Sequence, residues 1–302
     1  MGALLKNDEA TRETLEHGYN FTRPTDSPTM KEWEAHFPGI FDNFSLASGA
    51  ANIILQLANP AVGYGVKESI VGNGQNVLFT DPVRRARTTF TYLAVAFIGS
   101  AEDKLTYRSA VNKSHKLVRS TEASPVKYNA FNPELQLWVA SCLYFGFRDV
   151  LTKFRGEPSR EDAEKLLRMS EPLATTLQVR ADQWHKSLDE FDAYWEKNLN
   201  ELTIDDTMRE YLMRIVNVEF LPKPAQWLFG GFNRFVTSGF LPPQIRQKMH
   251  LQWTPSQQKR FDLLMSTFGF LNRITPLAVR GAFLTLMLRD LRKRMKEGRS
   301  LI

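Results

Sequence analysis

Residues 188–221 read LDEFDAYWEKNLNELTIDDTMREYLMRIVNVEFL. Phe191, Tyr194, Trp195 and Leu199 fall three and four apart in the first half, and Tyr211, Ile215, Val218 and Leu221 do so in the second. That spacing puts one apolar stripe on each of two α-helices, placed here over Leu188–Leu199 and Asp205–Glu219. No comparably long stretch alternates at period two. Asn76–Phe79 offers only one short extended piece. The chain therefore reads as all-α.

Outward from this segment, the same spacing gives helices over Ser45–Ala58, Ala61–Ile70, Pro82–Ile98, Ala101–Arg119, Pro133–Phe154 and Arg160–Thr176. It continues over Pro224–Ser238, Pro242–His250, Pro255–Leu271 and Pro276–Lys296. Asp81-Pro82, Asn132-Pro133, Thr254-Pro255 and Thr275-Pro276 each set a capping side chain before a proline at the first helical position. There is no internal repeat and no low-complexity linker. One multi-helix domain is expected over residues 45–285. Residues 1–44 are then an extension packed on it, and residues 286–302 a basic helix end.

Of the 302 residues, 43% are hydrophobic and 24% charged. This is ordinary globular composition, which excludes a disordered chain and allows an ample core. Much of the net charge of +6 is local: Arg289 to Ile302 holds six basic and two acidic side chains. Such a tail suits an acidic surface, membrane or nucleic acid. The simpler reading is a solvated helix end whose cations suit the dipole. No nucleic-acid partner is expected, and peripheral membrane contact through the basic C-terminus is kept as the alternative.

The lone cysteine, Cys142, excludes an internal disulfide and any all-cysteine metal site. Within the apolar run Leu135–Phe147 it reads as a buried, inert thiol. The start MGALLKNDEATRETLEHG lacks the basic-then-apolar order of a secretory leader, and Lys6 stands where N-myristoylation wants Ser or Thr. The longest charge-free stretch, Asn43–Val66, is broken by Asn52, Gln56, Asn59, Pro60 and three glycines, so no spanning helix is expected. A cytoplasmic location follows as the expectation.

No GxSxG, P-loop, HExxH or post-strand GxGxxG occurs, which leaves hydrolase, nucleotide-binding and classical dehydrogenase readings without support. The five histidines, His17, His36, His115, His185 and His250, show no zinc spacing. His115 shares a helical face with Val111 and Val118 in the expected helix Ala101–Arg119, with Arg119 one turn on. Spacing alone favours a hydrogen-bonded core histidine over an axial haem ligand. Arg84, Arg85, Arg87, Thr88 and Thr89 crowd the start of the preceding helix, with Arg85 and Thr89 on one face. They form either a solvated helix start or a cationic site for carboxylates.

An ordered series of short motifs resembles the MpaB oxygenase and latex clearing protein (rubber oxygenase) family. It runs through Leu55-Gln56-Leu57-Ala58-Asn59-Pro60-Ala61-Val62 and Gly65-Val66, then Asp81-Pro82 with Arg85 and Thr89, then Gly99. His115 with Arg119 follows, then Tyr128 to Leu135 (YNAFNPEL), Trp138-Val139, Phe191 to Trp195 (FDAYW), and Leu241-Pro242-Pro243 with Arg246. Pro276 with Arg280 is a weaker match, and the whole covers roughly residues 45–285. The resemblance implies a globin-like helical core holding one haem b. His115 would be the proximal iron ligand, and Arg85, Thr89 and Arg119 polar positions of the haem pocket. It also implies oxygen-dependent cleavage of carbon–carbon double bonds in isoprenoid chains. Thr88 departs from the lysine that rubber oxygenases can place there as a distal ligand, and Asn112 from their arginine. Asn59, Ser69 and Ala140 stand where many relatives carry histidine.

Dioxygen is a spin triplet and reacts slowly with a closed-shell alkene unless a redox cofactor supplies electrons. A single inward histidine can hold haem in a helical pocket. The distal side is then expected to be apolar, lined from Phe90, Leu93, Phe97 and the helix of Trp138, with Glu68 as a distal or supporting acid. The expected function is that of a haem-dependent oxygenase acting with O2 on a small apolar, unsaturated substrate. The alternatives are a haem or lipid carrier without turnover and a peripheral interaction protein without cofactor.

Overall fold

A computed structural model describes residues 23–41, 43–71 and 75–302. The N-terminal stretch read above for leader and acylation signals lies outside the described residues. The helices, in chain order, are α1 (Met30–His36), α2 (Gly49–Leu57), α3 (Pro60–Glu68), α4 (Val77–Thr80), α5 (Pro82–Ile98), α6 (Ala101–His115), α7 (Pro133–Arg155) and α8 (Arg160–Met169). They continue as α9 (Pro172–Thr175), α10 (Leu188–Glu201), α11 (Asp206–Val216), α12 (Lys223–Phe240), α13 (Pro243–Lys248), α14 (Pro255–Ile274), α15 (Leu277–Arg280) and α16 (Ala282–Lys296). The extended structure is one antiparallel pair, β1 (Ile70–Val71) with β2 (Gln75–Asn76), in the register Ile70↔Asn76.

Three of the four capping signals act as expected. Asp81 accepts from the Arg84 amide at 3.0 Å, Asn132 from that of Glu134 at 2.9 Å, and Thr254 closes a capping box with Gln257. Each cap satisfies an amide that the first helical turn leaves unpaired, worth about 1 kcal/mol. Thr275 behaves otherwise: its amide donates back to Leu271 and Asn272 and closes α14.

α7 runs through the middle of the molecule. Trp138, Ser141, Cys142 and Tyr144 are all at most 1% exposed, so this helix is covered on more than one face. α2, α9 and α14 pack against it. Gly146 permits the approach of α2: a Cβ there would meet Asn52 Nδ2 at 2.4 Å, and that amide donates to Cys142 O at 2.7 Å. Trp138, Phe145, Trp195 and Phe191 stack with interplanar angles of 14–16° and tie α7 to α10. A second, smaller core joins α5, α6 and α16 through Ala94, Val95, Tyr107, Val111, Leu288 and Leu291. The described residues form one domain that is helical apart from the short β1–β2 pair and one isolated bridge, and no described helix is long and apolar enough to cross a membrane.

Several expected boundaries move. The helix over Ala101–Arg119 stops at His115. The chain then turns, and Arg119 forms an antiparallel bridge with Asn129. Pro172, which has no amide hydrogen, divides Arg160–Thr176 into α8 and α9. Pro276–Lys296 divides at Gly281 into α15 and α16, where the Arg280 guanidinium reaches back to Thr275 O and to Glu34. Of Asn76–Phe79, only Asn76 is extended, and Val77 onward is helical. Helix α1 is not anticipated by the spacing. It carries Trp33, which is fully buried, donates to Phe97 O at 2.8 Å and packs edge-on to the Phe97 ring.

Candidate functional site

The start of α5 and the end of α6 face one another. Thr88 and Thr89 donate their hydroxyl protons back to the carbonyls of Arg84 and Arg85, at 3.0 and 3.1 Å. Their protons are thereby committed to the helix, and only acceptor lone pairs remain to present. Tyr107 OH donates to Thr88 O at 2.6 Å and locks α6 onto α5. Tyr107, Val111 and His115 are spaced by four, so one stripe of α6 carries both the lock and the histidine.

His115 closes α6 with its ring edge-on to Phe131, centroids 6.2 Å apart. Its Nδ1 is buried and has no hydrogen-bond partner among the described residues. Burial, and then the charge of Arg85, lower the imidazole pKa to about 4, so the ring is neutral at pH 7. Arg85 keeps exposed surface, yet burial is the main cause lowering its pKa, opposed by Tyr107 and Tyr211. The candidate recess is this junction of α5 and α6, where Arg85 stands close to His115 and Tyr107. Arg87 adds a buried Nε without a partner. Neither Arg85 nor Arg87 is in an ion pair among the described residues. A neutral imidazole thus lies beside Arg85, and Tyr107 lies near both Arg85 and Arg87, with no carboxylate paired to either guanidinium among the described residues.

The other candidates stand elsewhere. Arg119 is exposed on the bridge to Asn129, so the expected helical turn linking it to His115 does not form. Glu68 is not a free helix carboxylate. Its Oε2 accepts from Ser124 Oγ at 2.6 Å and Tyr128 OH at 2.7 Å, which anchors the segment after α6 to α3. Phe90, Leu93 and Phe97 do line an apolar pocket, closed by Phe147 of α7 and by Phe283 and Leu284 of α16. It lies on the face of α5 beside that of Arg85 and Thr89. Trp138 is outside that lining, stacked on Trp195 with its indole donating to Gln56 O at 3.1 Å.

Arg87 belongs to the arginine cluster read from the sequence, whereas Tyr107 and Tyr211 were not singled out there as site residues. The spacing of Tyr107 to His115 signals one of them; Tyr211 arrives only through packing of α11. Ser141 and His185 are 2.9 Å apart, a nucleophile–base distance. Trp184, Phe191 and Tyr194 cage the imidazole, and His185 is 4% exposed, so the pair serves the core. Cys142 is fully buried and its thiol pKa is pushed up, as an inert thiol requires. Among the described residues no three His, Cys, Asp or Glu side chains come together to hold a metal ion. The donor set near His115 is thus one imidazole with flanking cations.

The junction of α5 and α6, with one neutral imidazole beside a guanidinium that forms no ion pair among the described residues, is the candidate site. The chain belongs to the family of the ER-bound oxygenase MpaB/B′ and rubber oxygenase catalytic domain, whose profile matches residues 40–270. It is 44% identical over 253 residues to an uncharacterized protein of Mycobacterium tuberculosis, covering 84% of this chain and 98% of that protein. An uncharacterized protein of Mycobacterium bovis matches to the same extent. No solved structure matches the chain.

Proposed function

We propose that this member of the family is a haem b-dependent oxygenase acting with O2 on an apolar, unsaturated, isoprenoid-like substrate. The observation that carries the reading is His115, whose buried Nδ1 lacks a partner among the described residues, on a ring kept neutral at pH 7. A neutral imidazole is the form that binds metal. The residues fit the group: His115 would hold the iron, and Arg85 with Arg87 would meet the propionates as charge-assisted donors. Bound there, haem supplies the redox-active iron that dioxygen chemistry on an alkene needs. Thr89, its proton committed to Arg85 O, offers only lone pairs to a donor on a bound molecule. The apolar pocket of Phe90, Leu93 and Phe97 suits a hydrocarbon, burying it from water. Glu68 supports the site through Tyr128 and Ser124 by holding the segment that follows His115.

The test is spectroscopic. Purified protein reconstituted with haem is expected to show a Soret band at one haem per chain. His115→Ala should lose it while keeping the helical circular dichroism. Full haem occupancy with an unchanged Soret position in that variant would sink the assignment. Oxygen uptake with a polyisoprenoid alkene then separates an oxygenase from a carrier, since a carrier shows the band and consumes nothing.

A further inference from the structure

Between Glu219 and Asp290 the chain contains nine Lys and Arg and a single acid, Asp262. The same 70 residues hold ten of the thirteen exposed large hydrophobic side chains among the described residues. Two independent properties, cationic charge and exposed apolar area, thus coincide on α12, α14, α15 and α16. On α12, Trp227 is 88% exposed, with Leu228 and Phe232 beside it. On α14, Leu263, Phe270 and Ile274 recur at seven and four, an apolar stripe turned to solvent instead of the core. α12 packs on α14, and α14 leads directly into α15 and α16.

The cations accompany these side chains. Lys223 and Arg234 flank Trp227 on α12, and Lys259, Arg260 and Arg273 flank the stripe of α14; all five are exposed. Arg234, Lys259, Arg260 and Arg273 form no ion pair among the described residues. Exposed apolar surface on this scale marks an interaction site. A second copy of the chain would bring the same uncompensated positive charge against itself. An anionic lipid surface instead meets both properties, taking up the apolar side chains and neutralising the cations.

We propose that α12 and α14 form a peripheral docking surface for an anionic lipid bilayer, with Trp227, Phe270 and Ile274 inserted at the interface. This holds whether or not His115 binds haem. The apolar pocket lies beside it: Arg280, Phe283 and Leu284, which follow α14 in the chain, line it together with Ser45 and Leu46 of the segment that α12 packs on.

The test uses the full chain and vesicles of phosphatidylcholine, with or without about one third phosphatidylglycerol, sedimented together at about 0.1 M salt. The expected result is pelleting with the anionic vesicles, at least about tenfold weaker on phosphatidylcholine alone. Trp227→Ser with Phe270→Ser and Ile274→Ser should weaken pelleting at least about tenfold, as should Arg234→Gln with Lys259→Gln, Arg260→Gln and Arg273→Gln. All these side chains are exposed, so circular dichroism should not change. The other five tryptophans are buried or partly buried. Brominated lipid chains should therefore quench a component of the fluorescence that Trp227→Phe removes. Absence of pelleting, or pelleting that neither set of substitutions alters, would overturn the proposal. So would a stable dimer, by sedimentation velocity, that the apolar substitutions dissolve.

Discussion

An arginine beside a histidine is an unfavourable neighbour for an imidazolium, and at His115 that repulsion acts with burial to keep the ring neutral. On the proposed reading the same guanidinium meets a haem propionate. Losing one hydrogen bond to a charged group costs about 1.5–3 kcal/mol. Arg85→Met is therefore expected to weaken haem retention roughly ten- to a hundredfold. Arg119→Met, at an exposed position on the bridge to Asn129, is expected to leave retention nearly unchanged; haem-transfer rates to apomyoglobin compare the two. Equal losses would place Arg119 at the propionates after all. His185 provides a separate test of burial. Burial lowers its folded pKa to about 4, from an ordinary imidazole value of 6.5. Between those values the unfolded chain takes up a proton that the folded chain refuses. Stability from this group is complete above pH 6.5, declines as pH falls, and levels off near pH 4. The whole loss is about 3 kcal/mol at 1.36 kcal/mol per pH unit. In thermal melts from pH 7.5 to 4.5, His185→Gln should start less stable and lose less with acid than the parent. Parallel curves would show that His185 does not titrate in this window.

At the scale of elements, helices were legible where local chemistry sets their ends. Pro82–Ile98 is bounded as read, because Asp81 caps its start and the chain turns extended at Gly99. Boundaries set from far away were not legible. The corner at Gly281 is held by Arg280, whose partner Glu34 lies at the other end of the chain, with Nη2–Oε1 at 2.5 Å. Helix α1 is seven residues long, too short for a periodic signal, although its capping box, Thr29 with Glu32, is visible in the sequence. The candidate site divides in the same way. Arg85 and His115 could be proposed from a charge cluster and a helical face. Arg119 could not be placed, because the expected helix ends four residues too early for it. The Arg280–Glu34 pair makes a direct prediction. Both side chains are mostly buried, at 9% and 20% exposed, so Glu34→Ala leaves a guanidinium short of its carboxylate. A loss of about 1.5–3 kcal/mol is expected in urea unfolding, with an unchanged m-value. A loss below about 0.5 kcal/mol would mean that Phe41 O and Thr275 O hold the corner without it.

For the molecule as a whole, the residues matched by the family, 40–270, leave out α1, α15 and α16. Those elements nevertheless cover the back of the helix that carries Arg85 and Thr89. α16 packs along α5, with Leu288 and Leu291 against Ala94, Val95 and Tyr107, and Arg292 pairs with Asp103 at the start of α6. Tyr107 stands between the two regions: its ring belongs to this rear core, and its hydroxyl holds Thr88 O at the recess. Packing behind α5 and geometry in front of it are thus mechanically joined. Leu291 is 1% exposed, and Leu291→Ala is expected to cost about 2–5 kcal/mol through lost burial and the cavity left behind. Because the cavity adjoins Tyr107, the effect should reach beyond global stability. Amides of the first half of α5 should exchange faster with deuterium at denaturant levels where the rest of the molecule stays protected. Haem retention should fall as well, though residue 291 lies outside the recess. If exchange quickens uniformly across the chain instead, α16 contributes only to overall stability, and the recess is held by the contacts of α11 and the segment around Phe131.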